Sequence, residues 1–368
     1  MRISEIHVYQ KALPIVGGPY VMSSITLESI DTTIVKVVSD SGVIGWGEVA
    51  PLGAAYQPAH ALGARAAIAE LAPALIGESA LSPLPLMRRM HELLAGHLYA
   101  KAALEVACVD LLARHHGVRV CDLLGGPARD RLPGYCAINI GTPDETARIA
   151  ADKMQQGFGR IQLKCGGREI VVDIEMLHQV WRATDGKVKL VMDANRGLSV
   201  DSARQLSLAC QGIPVVLEQP CQTMQETASL RKQVSHPIFL DESATCVADV
   251  LHAIELDLCD GFGFKLTRLG GLQAMASVRD ICEARNMPHT CDDSWGGDII
   301  AAACLHIAAT VKPQLLEGVW TASDYIDEHY DPVNPVSLAG AEYLLPTGIG
   351  LGINPDDNLI GALVGSYS

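Results

Sequence analysis

Between Arg160 and Trp295 the chain repeats one pattern: a short apolar run that stops abruptly on a charged residue. RIQLK ends at Lys164, LVMD at Asp193, PVVLE at Glu218, PIFLD at Asp241 and GFGFK at Lys265, and PHTCDD ends at Asp292 and Asp293. Successive stops lie 23 to 29 positions apart. That interval is what one strand, one helix and two loops consume in a (β/α)8 barrel. Such barrels present the carboxyl ends of their strands on one face, so the stops are expected to converge there. The spacing therefore predicts two lysines and three carboxylates in a single pocket.

The remainder of the chain frames that barrel. IHVYQ, TTIVKVV and VIGWGEV read as strands, with Asp40-Ser41-Gly42 turning between the last two. From about His60 to Leu124 the period becomes helical, and the last helix stops at Gly117. Strands followed by helices predict an α+β domain over residues 1–128. Strand–helix alternation over 129–331 predicts an α/β fold, a modified, TIM-like (β/α)8 barrel. Thr142-Pro143-Asp144-Glu145 and the Thr223/Glu226 pair read as capping boxes that open two of its helices. A doubly wound sheet would usually carry a Gly-rich phosphate turn after its first strand, and none is present. The Gly- and Pro-rich tail, 332–368, is expected to return to the N-terminal domain.

Composition limits the partners. A net charge of −14 argues against nucleic acid or an anionic membrane. No apolar run approaches the ~18 residues of a membrane span, and MRISEIHVYQ lacks a signal-peptide core. Eleven cysteines without a CxxC pair suit a reducing, cytoplasmic setting. Cys108, Cys210 and Cys282 fall in apolar helical patterns and read as buried small hydrophobes.

The charged stops carry the chemistry. Any one of Asp193, Glu218 and Asp241 reads as readily as a helix cap. Three converging without imidazole or thiolate need a cation between them, and all-oxygen ligation selects a hard ion, Mg2+ first and Mn2+ second. A lone lysine at a strand end is ordinarily solvated. Lys164 and Lys265 are instead both expected to point into the acid cluster. A divalent cation and a second ammonium disfavour the charged amine, which turns it into a general base. These parts suit removal of a proton next to a metal-held carboxylate.

The order Lys164, Asp193, Glu218, Asp241, Lys265 resembles the enolase superfamily in its mandelate racemase and muconate-lactonizing branch, over essentially the whole chain. The resemblance implies that residues 1–128 form a capping domain with mobile loops near Gly17–Ser23 and Pro51–His60. It implies Mg2+ on Asp193, Glu218 and Asp241, lysines facing each other across the substrate, and a homo-oligomer. Two departures stand out. Where the family often has Lys-x-Lys, this chain has Gln162-Leu163-Lys164. Mandelate racemase uses a His–Asp pair where this chain has Lys265, so His289 reads as a core histidine; Asn195 could contact the metal site.

CDDSWGGDI, EGVWTASDY and the Tyr56 loop resemble a narrower subgroup acting on proline derivatives, the cis-3-hydroxy-L-proline dehydratases and hydroxyproline betaine 2-epimerases. That implies Gln162, Tyr56, Asp292 and Trp320 around a small carboxylate, the last three near its ring nitrogen, where a carboxylate and an indole face suit a cationic amine. Trp295 reads as pocket wall or packing, and Asp293 as a helix cap or a ligand contact. The implied reaction is Mg-dependent elimination of water from cis-3-hydroxy-L-proline to Δ1-pyrroline-2-carboxylate. The alternative is 2-epimerisation of proline, hydroxyproline or their betaines by the same lysines. A carboxylate-binding protein on a silent scaffold is the remaining reading.

Overall fold

A computed structural model describes residues 1–21 and 26–368; Met22 and Ser23, in the first expected loop, lie outside them. Strands β1 (Ile3–Pro14), β2 (Ser29–Ser39) and β3 (Ile44–Val49) form an antiparallel sheet. Helices α1 (Ala61–Leu75), α2 (Pro83–Leu93) and α3 (Leu98–His116) pack on it. Gly117 ends α3 with a φ of 67°, the left-handed turn that a glycine makes without strain. Against β3 the α3 backbone comes so close that a Cβ on Gly45 or Gly47 would lie 2.0 or 1.9 Å from the Ala107 or Ala103 carbonyl oxygen. Those two glycines let α3 lie between sheet and barrel.

Seven parallel strands follow: β4 (Cys136–Ile138), β5 (Arg160–Lys164), β6 (Lys189–Asp193), β7 (Val215–Glu218), β8 (Ile238–Leu240), β9 (Gly261–Lys265) and β10 (His289–Asp292), each paired with the next in chain order. The eighth stave is no regular strand. Residues 315–320 bridge the gap: Leu316 pairs beside His289, and Val319 beside Gly134. The intervening helices begin where the sequence predicts. Thr142 caps Pro143–Gln155 by accepting from the Glu145 amide, and Thr223 and Glu226 complete a reciprocal box. Cys108, Cys210 and Cys282 are buried.

The tail divides. Strand β11 (Ala362–Tyr367) adds to the N-terminal sheet beside β1. Residues 338–344 instead form a hairpin on Arg131–Pro133, just ahead of the first barrel strand. Among the described residues no helix is long and apolar enough to cross a membrane.

One side chain fastens the two parts together. The buried carboxylate of Glu48, on β3, accepts from the amides of Gly297 (2.8 Å) and Ile300 (3.1 Å) at the start of helix Asp298–Ala308. It also accepts from the Thr32 and Tyr330 hydroxyls at 2.9 and 2.8 Å. Glu48→Ala leaves three buried donors without an acceptor, and Thr32 with only the Val49 carbonyl at 3.3 Å, and should cost at least about 3 kcal/mol. Urea unfolding followed by circular dichroism should show the lower midpoint, with Glu48→Gln, which keeps an acceptor, falling between.

Candidate active site

The strand ends meet as predicted in outline. Register places Asp193 opposite Glu218 and Lys164 opposite Asp193. Lys164 (β5) and Lys265 (β9) stand on strands separated by β6, β7 and β8, and the three acids end or follow those intervening strands. Lys164, Lys265, Asp193 and Asp241 all line one narrow cavity of about 30 Å³. Gln162, Tyr56 and Trp320 line it too. Glu218 and Asp292 are not among the residues that line it; both are essentially inaccessible, at 1% and 0% exposure.

Each acid is turned towards a cation or donor of the protein. Lys164 Nζ lies 2.6 Å from Asp193 Oδ2. Arg160 Nη2 donates to Glu218 Oε2 at 3.2 Å, and Gln162 Nε2 to Oε1 at 3.0 Å. Asp241 is bound by Arg268, with the Tyr56 hydroxyl at 3.3 Å and Lys265 Nζ at 3.7 Å. In this arrangement no three His, Cys, Asp or Glu side chains among the described residues are disposed to hold a metal ion. The electrostatics nonetheless show a cluster of acids pressing on one another. Burial, then Asp193, push the Glu218 carboxyl up to about 7, with Asp241 adding to the effect. Burial, then Asp241 and Asp193, push Glu242 up to about 8. Gly263 keeps the floor open: a Cβ there would lie 3.2 Å from Glu218 Oε1 and 3.4 Å from Asp241 Cβ. An all-oxygen set with this mutual repulsion fits a hard divalent cation, provided Asp193 and Asp241 exchange their present partners for it.

The sequence reading has the charged lysines disfavoured beside a divalent cation; here Asp193 and Asp241 face the lysines themselves. Burial does work against both ammonium groups, but Asp193 beside Lys164, and Asp241 and Asp292 beside Lys265, outweigh it and raise both pKa values. A carboxylate at 2.6 or 3.3 Å wins over desolvation.

Asp292 also departs from its expected place. Its Oδ2 accepts from Tyr135 (2.8 Å), Thr290 (2.6 Å) and Lys265 (3.3 Å), and its Oδ1 from the Trp320 amide (2.7 Å). Both of its oxygens are thus engaged by protein donors, and Asp292 is not among the residues that line the cavity. Asp293 and Ser294 line the cavity instead. Asp293 accepts from the Thr267 amide and hydroxyl at 2.7 and 2.8 Å, pinning the turn after Lys265. Trp295 stands behind Trp320, ring centroids 5.5 Å apart, as packing. His289 is fully buried at the opposite end of β10 from Asp292. Asn195 donates to Asp193 and Glu242 at 3.2 and 3.1 Å, bracing one acid against another.

Sequence reading missed Tyr20, Tyr135, Arg160, Glu242, Arg268 and Ser294. Glu242 and Arg268 carried a signal, one directly after Asp241 and the other three residues beyond Lys265. Tyr20 carried only its place in a Gly-rich loop. Its ring lines the cavity and packs edge-on against Trp295 and Tyr325.

Comparison with known proteins agrees with this architecture. Residues 145–359 match the family described as enolase C-terminal domain-like, and residues 3–125 the mandelate racemase/muconate lactonizing enzyme N-terminal domain. A cis-3-hydroxy-L-proline dehydratase of Roseibium aggregatum is 35% identical, with 100% of both chains covered. An L-Ala-D/L-Glu epimerase of Bacillus subtilis is 29% identical over 77% of this chain and 78% of its own. A crystal structure of a mandelate racemase/muconate lactonizing enzyme relative from Roseovarius nubinhibens ISM, complexed with magnesium, superposes with a TM-score of 0.94 at 33% identity, covering 100% of each chain. Charged stops on successive barrel strands, a capping sheet fastened over them and full-length similarity lead to one assignment: the chain belongs to the mandelate racemase/muconate lactonizing enzyme branch of the enolase superfamily and is an enzyme.

Proposed function

We propose that the protein eliminates water from cis-3-hydroxy-L-proline to give Δ1-pyrroline-2-carboxylate. The observation that carries this reading is that Lys164 and Lys265, with three strands between them, line one cavity with Asp193 and Asp241. Full-length similarity to a cis-3-hydroxy-L-proline dehydratase supports the substrate. In that substrate the 3-hydroxyl lies on the carboxylate's side of the ring, and the C2 hydrogen lies on the other. Elimination across the ring needs a base on one face and an acid on the opposite one. Lys164 takes the C2 proton, and Lys265 gives a proton to the leaving hydroxyl. The C2–H and C3–O bonds break, water departs, and the enamine tautomerises.

Asp193, Glu218 and Asp241 would hold Mg2+, which supplies positive charge to the substrate carboxylate as negative charge develops on it. Gln162 orients Glu218 through its amide. Tyr56 and Trp320 close the cavity over the ring, Trp320 offering an indole face to the ring ammonium. Tyr20, at 4% exposure, excludes water on the capping side. The eleven free cysteines support a cytoplasmic setting, and the family resemblance a homo-oligomer.

The second reading is 2-epimerisation of proline derivatives. Relatives that are epimerases and racemases favour it, as does a lysine available for each face. Incubation in D2O with Mg2+ separates the two. Loss of water from cis-3-hydroxy-L-proline is the expected result. Deuterium entering C2 of 4-hydroxyproline betaine with inversion, and no dehydration, would transfer the assignment to epimerisation. A cavity that binds metal but exchanges no α-proton would rule out both.

A further inference from the structure

We propose that Tyr135 is a positioning residue that fixes Lys265 through Asp292, and that the two lysines are therefore held by unlike devices. This rests on the proline-derivative reading above only for the faces the lysines serve. Asp292 Oδ2 takes the Tyr135 hydroxyl at 2.8 Å, the Thr290 hydroxyl at 2.6 Å and Lys265 Nζ at 3.3 Å. Its other oxygen takes the Trp320 amide at 2.7 Å. A carboxylate bound on both oxygens from three directions has no free rotation, so the amine it faces inherits a fixed position. Tyr135 is clamped in turn. The Arg160 guanidinium lies over its ring, 3.9 Å from the centroid, and also donates to Glu218 at 3.2 Å.

Lys164 is held by a different device. Its carboxylate partner, at 2.6 Å, is Asp193, one of the three acids assigned to the cation. Among the described residues that carboxylate is braced by Asn195 alone, through the backbone amide at 2.9 Å on Oδ1 and Nδ2 at 3.2 Å on Oδ2. Asp292 lies outside that trio. Loosening Asp292 should consequently disturb Lys265 and spare Lys164, whereas a general loss of packing would affect both.

Two variants test this. Tyr135→Phe removes a hydroxyl from the wall of the cavity. Thr290→Val removes a hydroxyl from the same Asp292 oxygen at a residue that does not line the cavity, so a shared effect acts through Asp292 and not through either hydroxyl's own contact with a ligand. The first readout is deuterium entry at C2 of L-proline and of D-proline, in D2O with Mg2+; neither has a leaving hydroxyl. Exchange should fall about ten- to a hundred-fold for one enantiomer, the D form if Lys164 serves the S-configured carbon, and stay within about two-fold for the other. The second readout needs no substrate: acetic anhydride labelling, with the Lys265-to-Lys164 ratio read by peptide mass spectrometry, should shift in both variants. Equal losses for both enantiomers, or an unchanged labelling ratio, would overturn the proposal. A shifted ratio in both variants, alongside wild-type protein that exchanges neither enantiomer, would uphold the positioning role and remove the proline reading instead.

Discussion

Lys164→Ala should abolish C2 proton loss from cis-3-hydroxy-L-proline, and with it dehydration, by about a thousand-fold or more, at the upper part of what a positioned base contributes. Lys265→Ala should behave differently. Lys164 remains to remove the proton, so deuterium should still enter C2 from D2O, while loss of water falls by about a hundred-fold or more because the hydroxyl departs without an acid. Proton NMR in D2O reads both processes in one tube. If Lys265→Ala stopped exchange and Lys164→Ala did not, the faces would be reversed. If neither variant lost activity, the two-lysine mechanism would be wrong. A pH dependence follows from the same geometry. Asp193 outweighs burial and raises the Lys164 pKa. A raised amine pKa leaves the group protonated at neutral pH and unable to accept a proton. A cation that takes up Asp193 withdraws this support, so the onset of exchange should move to lower pH as Mg2+ is added. Lys164→Arg should be as inactive as the alanine variant, since a guanidinium does not give up its proton.

Stripping divalent cations with EDTA should reduce turnover by about a thousand-fold or more, with recovery on addition of Mg2+. Asp193→Asn and Asp241→Asn should each resist rescue. Thermal unfolding supplies a readout independent of turnover: Mg2+ should raise the midpoint of the wild-type protein, because a bound cation relieves repulsion among Asp193, Glu218 and Asp241. The shift should grow between pH 6 and 8. Burial and the neighbouring acids raise the Glu218 carboxyl to about 7; below that value a proton competes with the metal, and above it the carboxylate is free. Unchanged turnover and an unchanged midpoint after chelation would take the metal out of the mechanism.

Strand ends were legible in the sequence because a barrel strand is apolar until its last residue, where the side chain enters the polar mouth. Lys164, Asp193, Glu218, Asp241 and Lys265 all sit at such breaks, so their positions could be read one strand at a time. Helix starts at Thr142 and Thr223 were legible for a similar reason, since a capping oxygen satisfies local amides. Residues 315–320 were not legible as the eighth stave. They close the barrel with isolated bridges and carry no strand periodicity.

The chain's order of residues thus determined which side chains reach the mouth of the barrel and which family it resembles. Tertiary structure decided what those side chains touch. Asp292 stands at a strand end like the others, yet Tyr135, Thr290 and the Trp320 amide occupy its oxygens, with Lys265 Nζ 3.3 Å away. Tyr20 and Tyr56 reach the cavity from the other domain, more than 100 positions away from Lys164. Local pattern records whether a residue is apolar, charged or capping, because neighbours within a few positions set that. It cannot record which distant carboxylate a lysine meets, because that pairing exists only once the strands have closed around it.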